Sequence, residues 1–377
     1  MKISAVIAEY NPFHYGHKYQ LENMKQASDA VAVIMSGPFV QRGEAAITDK
    51  WTRTEAALLN GADAVFELPV IYALNTAQSF AFGAVDILNR TNIIDELWFG
   101  SECGQIDELT AAADILENEP KEVSEKIKKL TADGMLFPKA RETAVRDFIP
   151  NGILSMPNNI LAVEYIRALM RKNSKIKPIT LKRDGAGYHD TVTEKNASAA
   201  GIRERIKSGE KYADLMPCAN FDIYRTDALD TAVTARLRTI SEEELSKING
   251  VSEGLENRII SAAIKYSTIK DISAAVKTKR YTMTRINRIL MSALLGMTGN
   301  LCSRKVNYVR VLGMNKKGAE IIREIKHKSD LKIITKIADY KRNDPVFNMD
   351  IKAQSIFSLC GEVKKGNTDF TVSPIIT

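Results

Sequence analysis

Through residues 1–182, short apolar β-rich runs alternate with amphipathic helical stretches, and few folds satisfy that alternation. Runs at 2–9, 30–35, 64–69, 96–100 and 178–182 carry the strand signature, while 15–27, 51–60, 76–90 and 158–171 carry helical periodicity. Strands separated by helices at this spacing form βαβ units, so the sequence predicts an α/β fold: a Rossmann-like parallel sheet with helices on both faces. Ligands of such sheets sit at the carboxyl ends of the strands. Residues 105–150 have helical periodicity without a β-rich run and read as a helical insertion.

Beyond about residue 215 the pattern becomes mainly helical, with helices expected at 222–237, 241–249, 254–266, 269–277 and 282–295, then a strand at 308–313 and a helix at 316–327. The chain therefore divides into an expected domain at 1–215 and a mainly helical one at 216–377. Charge follows the same division. Of the net +7, residues 277–342 supply 17 basic side chains against four acidic ones, which leaves the remainder acidic. A basic segment on an acidic body fits a polyanionic partner such as nucleic acid. No apolar run approaches the roughly 18 residues of a membrane span, and the apolar start ends at Glu9 without a cleavage site, so a cytoplasmic protein is expected. Cys103, Cys218, Cys302 and Cys360 lie far apart with no C-x-x-C pair, which indicates neither zinc nor a disulfide framework.

Directly after the first strand comes Ala8-Glu9-Tyr10-Asn11-Pro12-Phe13-His14-Tyr15-Gly16-His17, an H-x-G-H at a strand-to-helix turn. Asn11-Pro12-Phe13 ends the strand, Gly16 permits close approach of a phosphate, and the helix start offers N–H groups to an anion. His14 and His17, three residues apart, can both face that anion and stabilise charge as an α-phosphorus is attacked. Further on, Asn196-Ala197-Ser198-Ala199-Ala200-Gly201-Ile202-Arg203 opens another helix, with Ser198 as the one hydroxyl in the turn and Arg203 at the helix start.

These two segments resemble the HIGH-type nucleotidyltransferase superfamily. With Ser36–Glu44, Phe99–Glu102, Pro157–Leu161 and the loop from Arg183 to Asp190 they resemble, over nearly the whole chain, the tRNA-Met cytidine acetate ligase family. The resemblance implies that acetate and ATP form acetyl-adenylate, and that the N4 amine of the wobble cytidine in elongator tRNA-Met then takes the acetyl group. It implies an ATP site at Ile7, Ala8, Glu9, Tyr10, Asn11, Pro12, Phe13, His14, Tyr15, Gly16, His17, Lys18, Tyr19 and Gln20, with Gly100, Asn158, Arg183 and Ser198; His14, His17 and Arg203 are the expected catalytic groups.

A small carboxylate beside a triphosphate needs cations, for which Lys18 and Arg42 are candidates, and His189 lies in a glycine-rich loop that could join the site. Mg2+ is expected with ATP, and no residue is assigned to a metal. In the basic segment Arg280, Tyr281, Arg285, Arg288, Arg304, Lys305, Tyr308 and Arg310 mix cations with tyrosines, a composition suited to phosphate contacts and stacking on unpaired bases. The residues alone leave two other readings open: a nucleotidyltransferase acting on a small phosphorylated metabolite, and a tRNA-binding protein without catalysis.

Overall fold

The computed structural model describes residues 1–149, 152–183, 197–337, 340, 343–364, 366 and 368–377. Its strands are β1 (Ile3–Ala8), β2 (Ala30–Ser36), β3 (Phe39–Val40), β4 (Glu44–Ala45), β5 (Ala64–Leu68), β6 (Glu96–Ser101), β7 (Lys177–Lys182), β8 (Tyr308–Met314), β9 (Lys332–Ile334) and β10 (Ile375–Ile376). β3 and β4 make a separate antiparallel hairpin; the rest form one eight-stranded sheet in the order β10-β8-β5-β2-β1-β6-β7, with β9 also beside β8. β5, β2, β1, β6 and β7 all run parallel, as the βαβ spacing predicts.

Alternation along each central strand feeds two cores. Ile3, Ala5 and Ile7 of β1 join Ala30, Ala32 and Ile34 of β2 on one face. Val6 joins Val31, Val33 and Met35 on the other, beneath Leu21 and Met24 of helix Tyr15–Ala27. The period of two fixes this assignment, because a slip of one residue would exchange the faces. The expected insertion is present as helices Ile106–Glu117, Lys121–Ala132 and Phe137–Val145. Arg167 and Arg171 bind Glu117, and Arg141 binds Glu164, so the insertion is tied to helix Pro157–Arg171.

The second half departs from the expected division at residue 215. Helices Asp230–Thr239, Leu255–Lys265, Ile269–Val276 and Met283–Leu295 do form a helical unit, the last two capped by Thr268 and Thr282. The chain then re-enters the first half: β8 lies antiparallel to β5, with a register shift between Val65 and Phe66. Without β8, β5 would present an edge of unpaired backbone groups.

A buried charge cluster fastens this junction. Lys50 Nζ lies 2.9 Å from Glu67 and 2.8 Å from Asp369, and Arg310 lies 2.8 Å from each of the same carboxylates. All four side chains are at most 3% exposed. Asp350 stands beside them, accepting from Val70 N and from the Tyr308 hydroxyl. Burial and the neighbouring Glu67 push its carboxyl up to about 7. Arg310, expected on an RNA surface, is thus internal: its strand is covered on both sides and its charge is consumed by two carboxylates. Tyr308 and Tyr281, expected to stack on bases, are also buried.

Two outcomes follow for stability. Arg310→Met leaves Glu67 and Asp369 to share the single charge of Lys50 in the interior and should cost about 3–5 kcal/mol in urea unfolding, whereas Arg280→Ala, at an exposed position, should change it by less than about 0.5 kcal/mol. Asp350 holds its proton more tightly folded than unfolded, so the protein should lose stability as pH rises from about 4 towards about 7. That component of the slope should vanish in Asp350→Asn.

Candidate active site

Arg53 shapes the floor of the site. Only 1% exposed, it donates from Nη1 to the carbonyls of Glu9 (2.7 Å) and Ser36 (2.9 Å), from Nη2 to Gly37 (2.5 Å), and from Nε to Thr48 (3.1 Å). One guanidinium therefore fixes the chain just past β1 and at the end of β2. Burial lowers it to about 10, still far above neutrality, so the donors stay charged. The sequence reading missed this residue, which lies inside a helix with no local motif.

Past β1 the chain turns through Tyr10, at a positive φ of 49°, and a cis Asn11–Pro12 bond. Asn11 Oδ1 accepts from Ile47 N at 2.7 Å. Tyr10 packs edge-on against Phe13 and His17, with centroids 4.9 and 4.8 Å away.

His14 is the N-cap of helix Tyr15–Ala27: its Nδ1 accepts from Gly16 N at 3.0 Å, and His17 Nδ1 accepts from His14 N at 3.2 Å. Two backbone donors at this helix start, those of Gly16 and His14, are thus taken by the two imidazoles. The rings lie 3.7 Å apart. Two neighbouring rings whose Nδ1 atoms both accept must carry hydrogen on Nε2 when neutral. Burial, with the positive charges of Arg183 and Arg203, holds His14 down to about 3; burial, with His14 and Arg183, holds His17 well below its usual range. The pair presents two neutral Nε2–H donors. Gly16 also makes room for the capping ring, since a Cβ there would sit 2.9 Å from His14 Cε1.

Arg203 reaches this turn, donating from Nη1 to the Asn11 carbonyl at 2.7 Å. Ser198, expected near phosphate, caps helix Ala199–Ser208 by accepting from Gly201 N at 3.2 Å. Ile7 and Ala8 end β1. The Glu9 carbonyl is held by Arg53, while its carboxylate accepts from Gln41 N at 2.8 Å. Across the mouth, the stem of Arg183 lies over Gly100, where a Cβ would meet its Cγ at 3.1 Å, and its Nη1 is 3.5 Å from Asn158 Oδ1. Glu102 orders this side: its carboxylate accepts from Asn158 N, Asn158 Nδ2 and Asn159 N at the start of helix Pro157–Arg171.

Tyr15 and Gly16 form the first turn of the helix after His14, Tyr19 is half exposed, and the buried Gln20 Nε2 has no partner among the described residues. Lys18 faces Glu22 at 3.9 Å along the outer helix surface. Arg42 is exposed at the hairpin tip, close enough to act on the charges of Glu9 and Arg203. His189 lies outside the described residues.

Among the basic candidates, Arg280, Arg304 and Lys305 are exposed. Arg285 donates to the Gly250 carbonyl and Ser252 Oγ, and Arg288 donates to the Gln41 carbonyl at 3.1 Å.

The whole chain has known counterparts. A family model described as HIGH Nucleotidyl Transferase matches residues 1–370. A tRNA(Met) cytidine acetate ligase of Clostridium perfringens (strain SM101 / Type A) is 41% identical over 401 residues and covers 100% of both chains. One from Thermoanaerobacter sp. (strain X514) is 41% identical, covering 95% of each. A crystal structure of Thermotoga maritima TmcAL bound with alpha-thio ATP is 30% identical, with a TM-score of 0.89 over 100% of this chain and 99% of that one. Its apo form has a TM-score of 0.90 at 31% identity.

The capping geometry is directly measurable. Imidazole nitrogen shifts of His14 and His17 should report the Nε2–H tautomer and stay constant from pH 8 to about 5, whereas an exposed histidine titrates near 6.5. Gly16→Ala should move the His14 ring and lower turnover by about tenfold or more with little change in melting temperature.

Proposed function

This chain belongs to the HIGH nucleotidyl transferase family and, within it, to the tRNA(Met) cytidine acetate ligases, and on that membership we propose that it joins acetate to ATP as acetyl-adenylate. It then transfers the acetyl group to N4 of the wobble cytidine of elongator tRNA-Met, giving N4-acetylcytidine. The observation that carries the reading is the pair of buried imidazoles in the turn after β1, 3.7 Å apart, each with its Nδ1 engaged by a backbone N–H, under the positive charges of Arg183 and Arg203.

An acetate oxygen attacks the α-phosphorus, one P–O bond forms, and the bond to the β-phosphate breaks to release pyrophosphate. The chain's contribution is positioning and charge stabilisation. The imidazoles donate to phosphate oxygens without entering as acids, because protons are not available from groups held so far below neutrality. Arg203 supplies positive charge at a turn it also braces, and the exposed Arg42 offers a cation to the incoming carboxylate. Among the described residues no group of three His, Cys, Asp or Glu side chains is arranged to hold a metal ion. We therefore derive no step through Mg2+, which would arrive with the triphosphate.

For RNA, Arg280, Arg304 and Lys305 offer exposed positive charge beside the helical unit. No helix among the described residues is long and apolar enough to cross a membrane, and we assign the work to the cytoplasm, where tRNA is found.

The test supplies labelled acetate, ATP, Mg2+ and separate transcripts of elongator tRNA-Met, initiator tRNA-Met and an unrelated tRNA. Label should enter only the elongator and should disappear without ATP or in His14→Ala; absence of label from every RNA would overturn the reading. Arg203→Ala should lose acetate-dependent ATP–pyrophosphate exchange. Arg280→Glu with Arg304→Glu should retain that exchange yet bind tRNA at least about tenfold more weakly, with a shallower salt dependence.

A further inference from the structure

Acetyl transfer creates a demand that adenylate formation does not. As the cytosine amine attacks, it becomes cationic and must lose a proton, and a base at the site can accelerate this by about 10²–10⁴. Both histidines are excluded from that work. Their Nδ1 lone pairs are engaged by Gly16 N and His14 N, and their Nε2 atoms carry hydrogen. Glu102 is occupied by three donors at the start of helix Pro157–Arg171.

Glu9 is placed differently. It follows β1 directly at the carboxyl end of the sheet, and its backbone carbonyl is held by Arg53. Its Oε1 accepts from Gln41 N at 2.8 Å. No lysine, arginine or histidine nitrogen among the described residues lies within 4.0 Å of the carboxylate, although Arg203, Arg42 and Arg53 all act on it from a distance. The buried Tyr165, on helix Pro157–Arg171, is close enough to feel its charge. Among the described residues the carboxylate is thus oriented by one backbone donor and makes no close ion pair. It would repel acetate and phosphate, and it suits a ligand that brings N–H groups.

We propose that Glu9 is the catalytic base of the transfer step, accepting a proton from the N4 amine of the acceptor cytosine. The inference rests on the acetyl-transfer reading above. The N4 nitrogen attacks the acetyl carbonyl carbon and forms the C–N bond. The bond from that carbon to the phosphate oxygen breaks, AMP leaves with the electron pair, and the amine proton passes to the Glu9 carboxylate. Burial raises the Glu9 carboxyl above its ordinary range, which brings it closer to the proton it must take.

The experiment separates the two half-reactions with the full-length protein. Acetate-dependent ATP–pyrophosphate exchange without RNA measures activation; a single-turnover chase of preformed enzyme-bound acetyl-adenylate with elongator tRNA-Met measures transfer. Glu9→Gln keeps an oxygen for Gln41 N, so transfer should fall by about 100-fold or more, and at least about tenfold further than the exchange does. Transfer by the unsubstituted protein should rise with pH along a limb set by one deprotonation, and Glu9→Gln should lose that limb. Glu44→Gln, altering another carboxylate close to Arg203, should change neither rate. Parallel loss of exchange and transfer would make Glu9 a nucleotide-binding residue and overturn the proposal. Unchanged transfer, a retained pH limb, or a transfer defect in Glu44→Gln instead would also overturn it. If the unsubstituted protein exchanges pyrophosphate with acetate yet labels no RNA, the acetyl-transfer reading itself fails, a result distinct from any of these.

Discussion

The buried square of Lys50, Glu67, Arg310 and Asp369 is the constraint on which the architecture turns. Each cation touches both carboxylates, so two charges of either sign neutralise one another with almost no solvent contact. The four residues come from four places in the chain: the start of helix Lys50–Leu59, β5, β8 and helix Thr368–Thr371. Such a cluster is poor evidence of added stability, since well-packed apolar side chains can do as well. It does specify pairing. Placing β8 against any other strand would leave a charge without its partner, at a cost of about 3–5 kcal/mol. The cluster also borders the site, for Glu67 Oε1 lies 2.3 Å from where a Cβ on Gly37 would be. That glycine is required by the carboxylate, and its carbonyl is one of those gathered by Arg53.

The histidine turn solves a related problem at the other side of the floor. A helix start has donors that need partners, and here two imidazoles supply the acceptors. In doing so they fix their own tautomer and expose the opposite nitrogen. A serine or aspartate would cap the helix equally well, but neither could pass the hydrogen-bonding capacity on to a ligand. Capping therefore also fixes which ring nitrogen is left for a ligand, and burial, with the cationic surroundings, keeps the rings neutral.

The parallel half of the sheet was legible because strand and helix periods differ, and the turn was legible because its residues are contiguous. Arg203, far along the chain, was found through its own short motif at a helix start. What escaped had no local signature. The sequence of β8 reads as a strand, but nothing in it says that it pairs with β5 across more than 240 residues. Arg310 was placed outside for the same reason, since a charge count along the chain does not distinguish an exposed arginine from one neutralised by distant carboxylates. Arg53 sits among ordinary helical residues, and its partners are backbone carbonyls that leave no trace in side-chain identity. Ser198 carries a different ambiguity: a hydroxyl before a helix serves as an N-cap as readily as a phosphate ligand, and here it caps.

These long-range contacts also change how the two halves relate. The hairpin β3–β4 lies between them. Its Gly43 takes a φ of 80° against Asn287 and Arg288, where a Cβ would approach the Arg288 nitrogen to 2.4 Å. The Gln41 carbonyl accepts from Arg288, and the Gln41 N–H donates to Glu9. One residue of the hairpin therefore connects a basic helix directly to the carboxylate beside the catalytic turn. Arg288 contributes its positive charge to the sequence total, but its side chain is already committed to this bridge. The helical unit is consequently part of the wall of the site, and a charge reversal at Arg288 would disturb Glu9 through Gln41.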